Sequence, residues 1–350
     1  MKKREIYAGI LWGTAVGDSL GLPAEGISRD GIEKRGWKDN WKQRLLFGHG
    51  MLSDDTEHTL IVAESLATHP NDVVAFQKIL AKKLRWWLLA LPAGVGMATA
   101  RALVKLWLGF PSTKSGVFSA GNGPAMRSAI IGAYFAESPD QIDAYVRAST
   151  KITHTDPKAL VGALAIAYCA ATPDDLPRCM RQLKSLAEIE PSEWPTILNI
   201  IKQALDEDWT TTDLLNQLGS KNGISGYIYH TVPAALFVWF KWYDHDDMFK
   251  GSMNEILNCG GDTDTAGAIL GALSGAKVGC SEIPTHWISK IKDWPRGRIM
   301  IERNASMLIE HSTVHSPIWI FCLLRNFAFL LIVLSHGLLR LIPSSLRLVR

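Results

Sequence analysis

Two short acidic segments carry the most chemistry in this 350-residue chain: Ser53-Asp54-Asp55-Thr56 and Gly260-Gly261-Asp262-Thr263-Asp264-Thr265. Each stands at the N-terminal edge of an apolar run with helical period. Ser, Thr and Asp are good N-caps there, and anions suit the positive end of the helix dipole. Capping one helix takes one carboxylate, yet each segment supplies two. Four carboxylates drawn together repel unless a cation neutralises them. A hard divalent ion of the Mg²⁺ type does this, with Asp54, Asp55, Asp262 and Asp264 giving carboxylate oxygens and Ser53 and Thr265 giving hydroxyls. Plain helix capping is the competing reading.

Other residues near predicted helix ends also read two ways. Gly121-Asn122-Gly123 is either a tight turn, since Asn-Gly readily takes φ > 0, or a glycine cradle for a diphosphate at a helix N-terminus. Arg127, just beyond, is expected to pair with a carboxylate rather than with phosphate. His154 in Thr153-His-Thr-Asp156 is either a satisfied structural histidine or faces a ligand. Glu57, His58 and Glu64 follow Asp55 on one helix and are expected behind the site or facing solvent.

These segments need helices to hold them, and helical periodicity recurs while strand signals are almost absent. Helices are expected over 5–20, 56–67, 72–90, 95–108, 123–136, 139–149, 157–171, 195–206, 226–242, 263–278 and 298–310. Asp72, Ser138-Pro139 and Asp156-Pro157 read as start signals. Breakers lie at Pro23, Pro92, Pro111, Gly121–Pro124 and Gly260-Gly261. No long linker divides the chain before residue 310, so residues 1–312 read as a single compact all-α domain. Residues 266–279 are so rich in Gly and Ala that their helix makes sense only if neighbours approach very closely, since each Gly costs up to ~1 kcal/mol relative to Ala. The 13 Trp are read mostly as core.

Five segments, in order, resemble the ADP-ribosylglycohydrolase family, whose bacterial prototype is dinitrogenase-reductase-activating glycohydrolase. They are Gly13-Thr-Ala-Val-Gly-Asp-Ser-Leu-Gly21 with Glu25 after it, Ser53–Thr56, Gly121–Arg127, Thr153–Asp156 and Gly260–Thr265, together spanning residues 8–280. The resemblance implies a multi-helix domain with two Mg²⁺ ions, or Mn²⁺ in their place. Ser53, Asp54 and Asp55 are then ligands of one ion. Asp262, Asp264 and Thr265 serve the other, with Asp264 bridging. It also implies that Glu25, Asp55 or Asp264 handles protons, without deciding which is the base. Gly121, Asn122, Gly123, His154 and Tyr227 are implied to bind substrate. Where the family often has Thr, this chain has Ser53, another hydroxyl.

The implied reaction is hydrolysis of the N- or O-glycosidic bond between ADP-ribose and a protein side chain, through an oxocarbenium-like state. Two other classes stay in view: a non-catalytic ADP-ribose-binding relative and a metal-dependent phosphohydrolase. The retained Glu25 and four aspartates disfavour a pure binder.

Charge adds a second theme. The formal net charge is +3, with 37 basic and 34 acidic residues. After Glu310 there is no acid and no Lys, only Arg325, Arg340, Arg347 and Arg350. Residues 1–310 therefore hold 33 bases against 34 acids, which disfavours a nucleic-acid binder. The five scattered Cys are expected reduced and mostly buried, in a cytoplasmic protein. The N-terminal apolar run is bracketed by Glu5 and Asp18 and reads as a first helix rather than a signal peptide.

Residues 313–350 form an apolar, Arg-bearing tail that the resemblance does not cover. The run 317–342 is long enough to span a bilayer but is interrupted by Arg325 and Asn326. Arg325, His336, Arg340 and Arg347 fall in one helical sector. Three readings stay open: an interfacial helix on an anionic leaflet, a spanning anchor, or an extra core or oligomer-contact helix. Tethering to the inner face of the membrane is the expectation, its form undecided.

Overall fold

The computed structural model describes residues 3–310 and 317–341. In chain order the helices are α1 (Lys3–Gly21), α2 (Arg29–Lys34), α3 (Asp54–Thr68), α4 (Val73–Leu89), α5 (Met97–Trp107), α6 (Gly123–Met126), α7 (Ala129–Tyr134), α8 (Pro139–Thr153) and α9 (Pro157–Ala171). There follow α10 (Leu176–Ser185), α11 (Trp194–Asp206), α12 (Thr211–Gln217), α13 (Ile228–Lys241), α14 (Met248–Asn258), α15 (Thr263–Val278), α16 (Thr285–Ser289), α17 (Arg298–Glu310) and α18 (Trp319–Leu341). The only strands among the described residues are β1 (Ile27–Ser28) and β2 (Gly260–Gly261), paired antiparallel with Ile27 opposite Gly261. The architecture is all-α, as the periodicity predicts.

At its centre α1 and α15 cross antiparallel at backbone contact. A Cβ on Gly13 would lie 2.0 Å from the Gly271 carbonyl oxygen, and one on Gly17 would lie 1.9 Å from that of Gly267. Gly9 and Gly275 repeat the pattern one turn further on. The four-residue spacing puts the glycines on one face of each helix, so the two backbones form a seam that no larger residue fits. This close approach is what the small-residue run predicts. Around it pack α3, α7, α9, α13, α14 and α17, with Trp194, Trp239 and Trp287 fully buried.

Capping explains several starts. Asp72 accepts from the Val74 and Ala75 N–H groups and Asp156 accepts from Lys158 N–H. Ser138 makes no side-chain cap bond; Pro139 opens α8 without it. The expected helix 123–136 is in fact α6 and α7, separated by Arg127 and Ser128. The short helices α2, α10, α12, α14 and α16 are additions to the sequence reading.

The apolar tail does form one long helix, α18, which is long and apolar enough to cross a membrane. It also packs on the body. Phe329 is buried against Leu22, Leu45 and Met51, and Asn326 Nδ2 donates to the Ala90 carbonyl at 2.9 Å. Arg325 is therefore not on a solvent-facing polar stripe with His336: it is buried and paired with Asp293. Arg347 lies outside the described residues.

Candidate active site

Three chain segments converge on one cleft: the end of α1 with Glu25, the start of α3, and the start of α15. The α1–α15 seam fixes this, because antiparallel crossing sets the C-terminal end of one helix beside the N-terminal end of the other. Gly260 and Gly261 turn the chain into α15 with φ of +71° and +83°. A Cβ at Gly261 would stand 1.9 Å from the Ile224 carbonyl oxygen, so that turn admits glycine only.

Asp18, within α1, organises the start of α3 from a distance. Its carboxylate accepts from Ser53 N–H at 2.9 Å, from Thr56 N–H at 3.3 Å and from the Thr56 hydroxyl at 2.5 Å. It thus caps α3 alongside Ser53, whose Oγ accepts from Asp55 N–H at 3.2 Å. Burial pushes the Asp18 carboxyl up to about 6, opposed by these hydrogen bonds. In sequence Asp18 reads only as the acid that closes the N-terminal apolar run; an acid inside so apolar a helix is the signal that it has buried partners.

The cleft has a volume of about 580 Å³, in the range of small-molecule sites. Glu25, Asp54, Asp262, Asp264 and Thr265 line it, as do Gly121, Asn122, Gly123 and His154. Ser53 and Asp55 stand one layer behind. Asp55 Oδ2 accepts from the Ser53 hydroxyl at 3.1 Å and from the Thr265 hydroxyl at 3.3 Å, which joins the two acidic segments. Asn122 Nδ2 donates to Asp262 Oδ2 at 2.7 Å and to Thr231 Oγ1 at 3.1 Å, tying the glycine loop to the second segment.

The electrostatics follow from this crowding. Burial first, then neighbouring acids, push the Asp54, Asp55 and Asp264 carboxyls well above their ordinary range. Two buried oxygens, Asp55 Oδ1 and Asp264 Oδ1, have no hydrogen-bond partner. Buried carboxylate oxygens are costly to leave unmatched, so the cluster has the donor chemistry of a cation site. Among the described residues, no group of three or more His, Cys, Asp or Glu side chains is arranged to hold a metal ion. The Ser53 and Thr265 hydroxyls belong to the same oxygen set.

The loop 121–123 does not use positive φ. Its glycines make room for His154: a Cβ on Gly121 would sit 2.9 Å from Nε2 and one on Gly123 3.4 Å from Cε1. His154 Nδ1 pairs with Thr153 Oγ1 at 2.9 Å, and burial followed by the Arg127 charge pushes its imidazole down to about 3. It is a neutral ring that backs the loop while lining the cleft. The helix after the loop is the single turn α6, so the long dipole expected there is absent.

Two further residues sit outside the cleft lining. Arg127 makes no hydrogen bond to a carboxylate among the described residues, though the Asp54 charge acts on it through space. It is fully buried and donates to Ser149 Oγ and O and to Thr153 Oγ1, with His58 Nδ1 at 3.3 Å. Tyr227 contributes backbone rather than ring: its peptide bridges to Gly121, while its hydroxyl accepts from Lys158 at 3.2 Å and donates to Glu193, away from the cleft lining. Glu57, His58 and Glu64 are all buried, none facing solvent. Trp87 Nε1 donates to Glu57 Oε2 at 2.6 Å, and Lys83 donates to Glu64 Oε2 at 2.6 Å.

The cleft also has a wall that sequence reasoning missed: Gly94, Gly96, Met97 and Thr99, from the loop and first turn leading into α5. Ile224, Ser225 and Gly226 line it from the segment before α13, where the resemblance to the family already pointed through Tyr227. That second segment is stitched to both sides: Ile224 N–H donates to Gly260 O at 2.9 Å, Asp262 N–H to Ile224 O at 2.8 Å and Asn122 N–H to Gly226 O at 3.1 Å.

The chain is similar to several known proteins. An uncharacterized protein of Archaeoglobus fulgidus is 30% identical over 87% of this chain and 96% of its own. The ADP-ribosyl-[dinitrogen reductase] glycohydrolase of Rhodospirillum rubrum is 28% identical over 81% of this chain and 89% of its own. A solved ADP-ribosylglycohydrolase-related protein complex aligns with a TM-score of 0.62 at 25% identity, covering 89% of this chain and 99% of that one. The family profile for ADP-ribosylglycohydrolase matches residues 1–317, taking in every segment of the cleft and leaving out α18. On that match the chain belongs to the ADP-ribosylglycohydrolase family.

Proposed function

We propose that the chain hydrolyses the glycosidic bond joining ADP-ribose to a protein side chain, with divalent metal held in the acidic cleft. The pair of unpartnered buried oxygens, Asp55 Oδ1 and Asp264 Oδ1, carries the reading. Ser53, Asp54 and Asp55 would hold one ion, and Asp262, Asp264 and Thr265 the other, as Mg²⁺ or Mn²⁺. When bound, such ions offset the carboxylate repulsion, orient ribose hydroxyls and make a water more acidic.

The remaining chemistry falls to the protein. Water adds to the ribose C1, the side-chain nitrogen or oxygen leaves with the bonding pair, and one proton passes from the water to that leaving group. Glu25, exposed at the cleft mouth, would accept the water's proton or stabilise positive charge at C1, with Asp55 and Asp264 as the other candidate bases. Asn122 holds the Asp262 carboxylate in place. Gly121 and Gly123 leave the loop backbone open to the diphosphate, with His154 bracing it as a neutral ring. The acidic lining disfavours an anionic group at the cleft floor and favours ribose there, with the diphosphate toward the loop.

The name of the Rhodospirillum relative supports a modified protein as the substrate. So does that of the ADP-ribosylarginine hydrolase Tri1 of Serratia proteamaculans, 23% identical over 81% of this chain and 74% of its own. The test is incubation with ADP-ribosyl-arginine and ADP-ribosyl-serine peptides, with Mg²⁺ or with EDTA. Free ADP-ribose released from at least one of them, only with metal, is the expected result. No release from either overturns the proposal; release of AMP or phosphate alone points to phosphohydrolysis instead.

A further inference from the structure

Helix α18 lies beyond the family match and has two unlike faces. Cys322, Arg325, Asn326 and Phe329 are buried against the body. On the other face Leu324, Phe327, Leu331, Leu334 and Leu338 are between 52% and 67% exposed. Of the apolar stretch Trp319–Leu338, only 22% is buried.

The bare face continues onto the body on both sides. Trp319 meets Trp86 of α4 with ring centroids 6.5 Å apart, and Trp86 meets Trp107 of α5 at 5.5 Å. Across α18, Phe321 meets Trp294 at 5.2 Å. Leu89 and Leu91, in the chain just after Trp86, are exposed as well. An apolar cleft of about 730 Å³ opens between α18 and residues 288–299, with Ile288, Ile299 and Leu324 on its walls and Lys292 and Arg298 beside them. Exposed Lys78 and Lys82 share the α4 stripe that carries Trp86 and Leu89. Besides the buried Arg325, residues 311–350 add three Arg in sequence and no acid.

We propose that this platform docks on an anionic lipid bilayer, with α18 lying in the plane of the membrane surface rather than crossing it. Large contiguous apolar patches on a folded protein mark interaction surfaces. Trp at the edges and cations around an apolar helix face fit the headgroup boundary of a bilayer carrying negative charge. Crossing is opposed by the docked face. To span, α18 would have to break the Arg325–Asp293 pair and the Asn326–Ala90 bond and carry Arg325 into hydrocarbon. A second copy paired along α18 would match the leucine row, but the Trp residues and cations flanking that row fit a charged headgroup boundary. The cleft beside Lys292 gives an acyl chain a place to enter.

Flotation of the full chain with phosphatidylcholine vesicles, with and without about a quarter phosphatidylglycerol, tests this. The protein is expected to float with the anionic vesicles, to bind less as salt rises, and to be released by alkaline carbonate. The double variant Leu324→Asp/Phe327→Asp, at two exposed positions, should keep the wild-type melting temperature and lose vesicle binding by about tenfold or more. Three outcomes overturn the proposal. One is no binding to either vesicle. Another is carbonate-resistant insertion, which means a spanning anchor. The third is concentration-dependent dimerisation that the double variant abolishes while vesicle binding is absent. Each readout is independent of catalysis, so its failure is separate from failure of the glycohydrolase reading.

Discussion

Arg325 and Asp293 form a buried ion pair that holds both the N–H and the carbonyl of Leu52. Asp293 Oδ2 accepts from Leu52 N–H at 2.8 Å, Arg325 Nη2 donates to Leu52 O at 2.5 Å, and Arg325 Nε donates to Asp293 Oδ1 at 2.9 Å. Leu52 immediately precedes Ser53 and the acidic segment. A helix outside the family match therefore fixes the backbone that presents Asp54 and Asp55.

Removing one partner leaves the other charged and buried. Arg325→Met is expected to lower stability by about 3–5 kcal/mol in denaturant unfolding. The double variant Arg325→Met/Asp293→Leu should recover much of that loss, since no isolated charge remains. Equal, additive losses would show that the two residues act independently.

The acid cluster makes stability depend on pH in a fixed direction. Asp18, Asp54, Asp55 and Asp264 all have carboxyls raised above their ordinary values, chiefly by burial. A group whose folded value exceeds its unfolded value holds its proton longer in the folded state. Between the two values stability therefore falls as pH rises. For Asp18 that window runs from the ordinary 3.8 to about 6, and for the other three it extends upward from 3.8. In EDTA the melting temperature should fall as pH rises through this range. Saturating Mg²⁺ should flatten or reverse the trend, because a cation binds the ionised form. A metal-free protein that gains stability with pH across the window would contradict the reading of the cluster.

Asp264→Asn separates stability from activity. It deletes a charge whose ionisation is opposed by burial and by Glu25, Asp262, Asp55 and Asp18. The metal-free variant should be more stable than wild type by about 1 kcal/mol near neutral pH. Its Mg²⁺-dependent gain in melting temperature should shrink and its activity should fall by about a hundredfold or more. Loss of stability in EDTA would mean that Asp264 is structural.

The α1–α15 seam gives a contrast within one residue type. Gly→Ala inside a helix ordinarily stabilises by up to ~1 kcal/mol. At Gly271 the new Cβ would be 2.1 Å from the Gly13 carbonyl oxygen, so the helices must separate; at Gly337 nothing lies within 4 Å. Gly271→Ala is expected to cost about 1–3 kcal/mol or more and Gly337→Ala to be neutral or mildly stabilising, as read by thermal unfolding. Similar effects at both would refute the backbone-contact account.

What sequence could reveal follows physical range. Residues 266–279 predict a tight helix contact because glycine is costly in a helix without one, and the structure shows that contact; the paired acids mark themselves as a cluster because repulsion is local, and the structure brings them to one cleft. Asp18 was opaque, since its partners lie 35 and 38 residues away. So was Arg325: within an apolar run it reads as a cation seeking a membrane surface, and only the fold brings Asp293 to it. The short α10 buries just Cys179 and Leu183, too few apolar positions to show a period, and α12 depends on the Thr210–Asp213 capping box. Helix 123–136 failed because apolar period alone does not register the break at Arg127, where the chain opens to let a buried guanidinium reach Ser149 and Thr153.

Glu25 separates chemistry from metal binding. It lies at the exposed mouth of the cleft, on the stretch between the end of α1 and β1, and its charge helps raise the Asp54 and Asp264 carboxyls. If it takes the proton from the attacking water, Glu25→Gln should lower kcat by about 10²–10⁴-fold while KM and Mn²⁺ affinity stay near wild type. The amide preserves the shape of the mouth and relieves repulsion on Asp54 and Asp264, so the metal-free variant should be no less stable than wild type. A loss of Mn²⁺ affinity matching the loss in rate would instead make Glu25 part of the cation site, leaving Asp55 or Asp264 to move the proton.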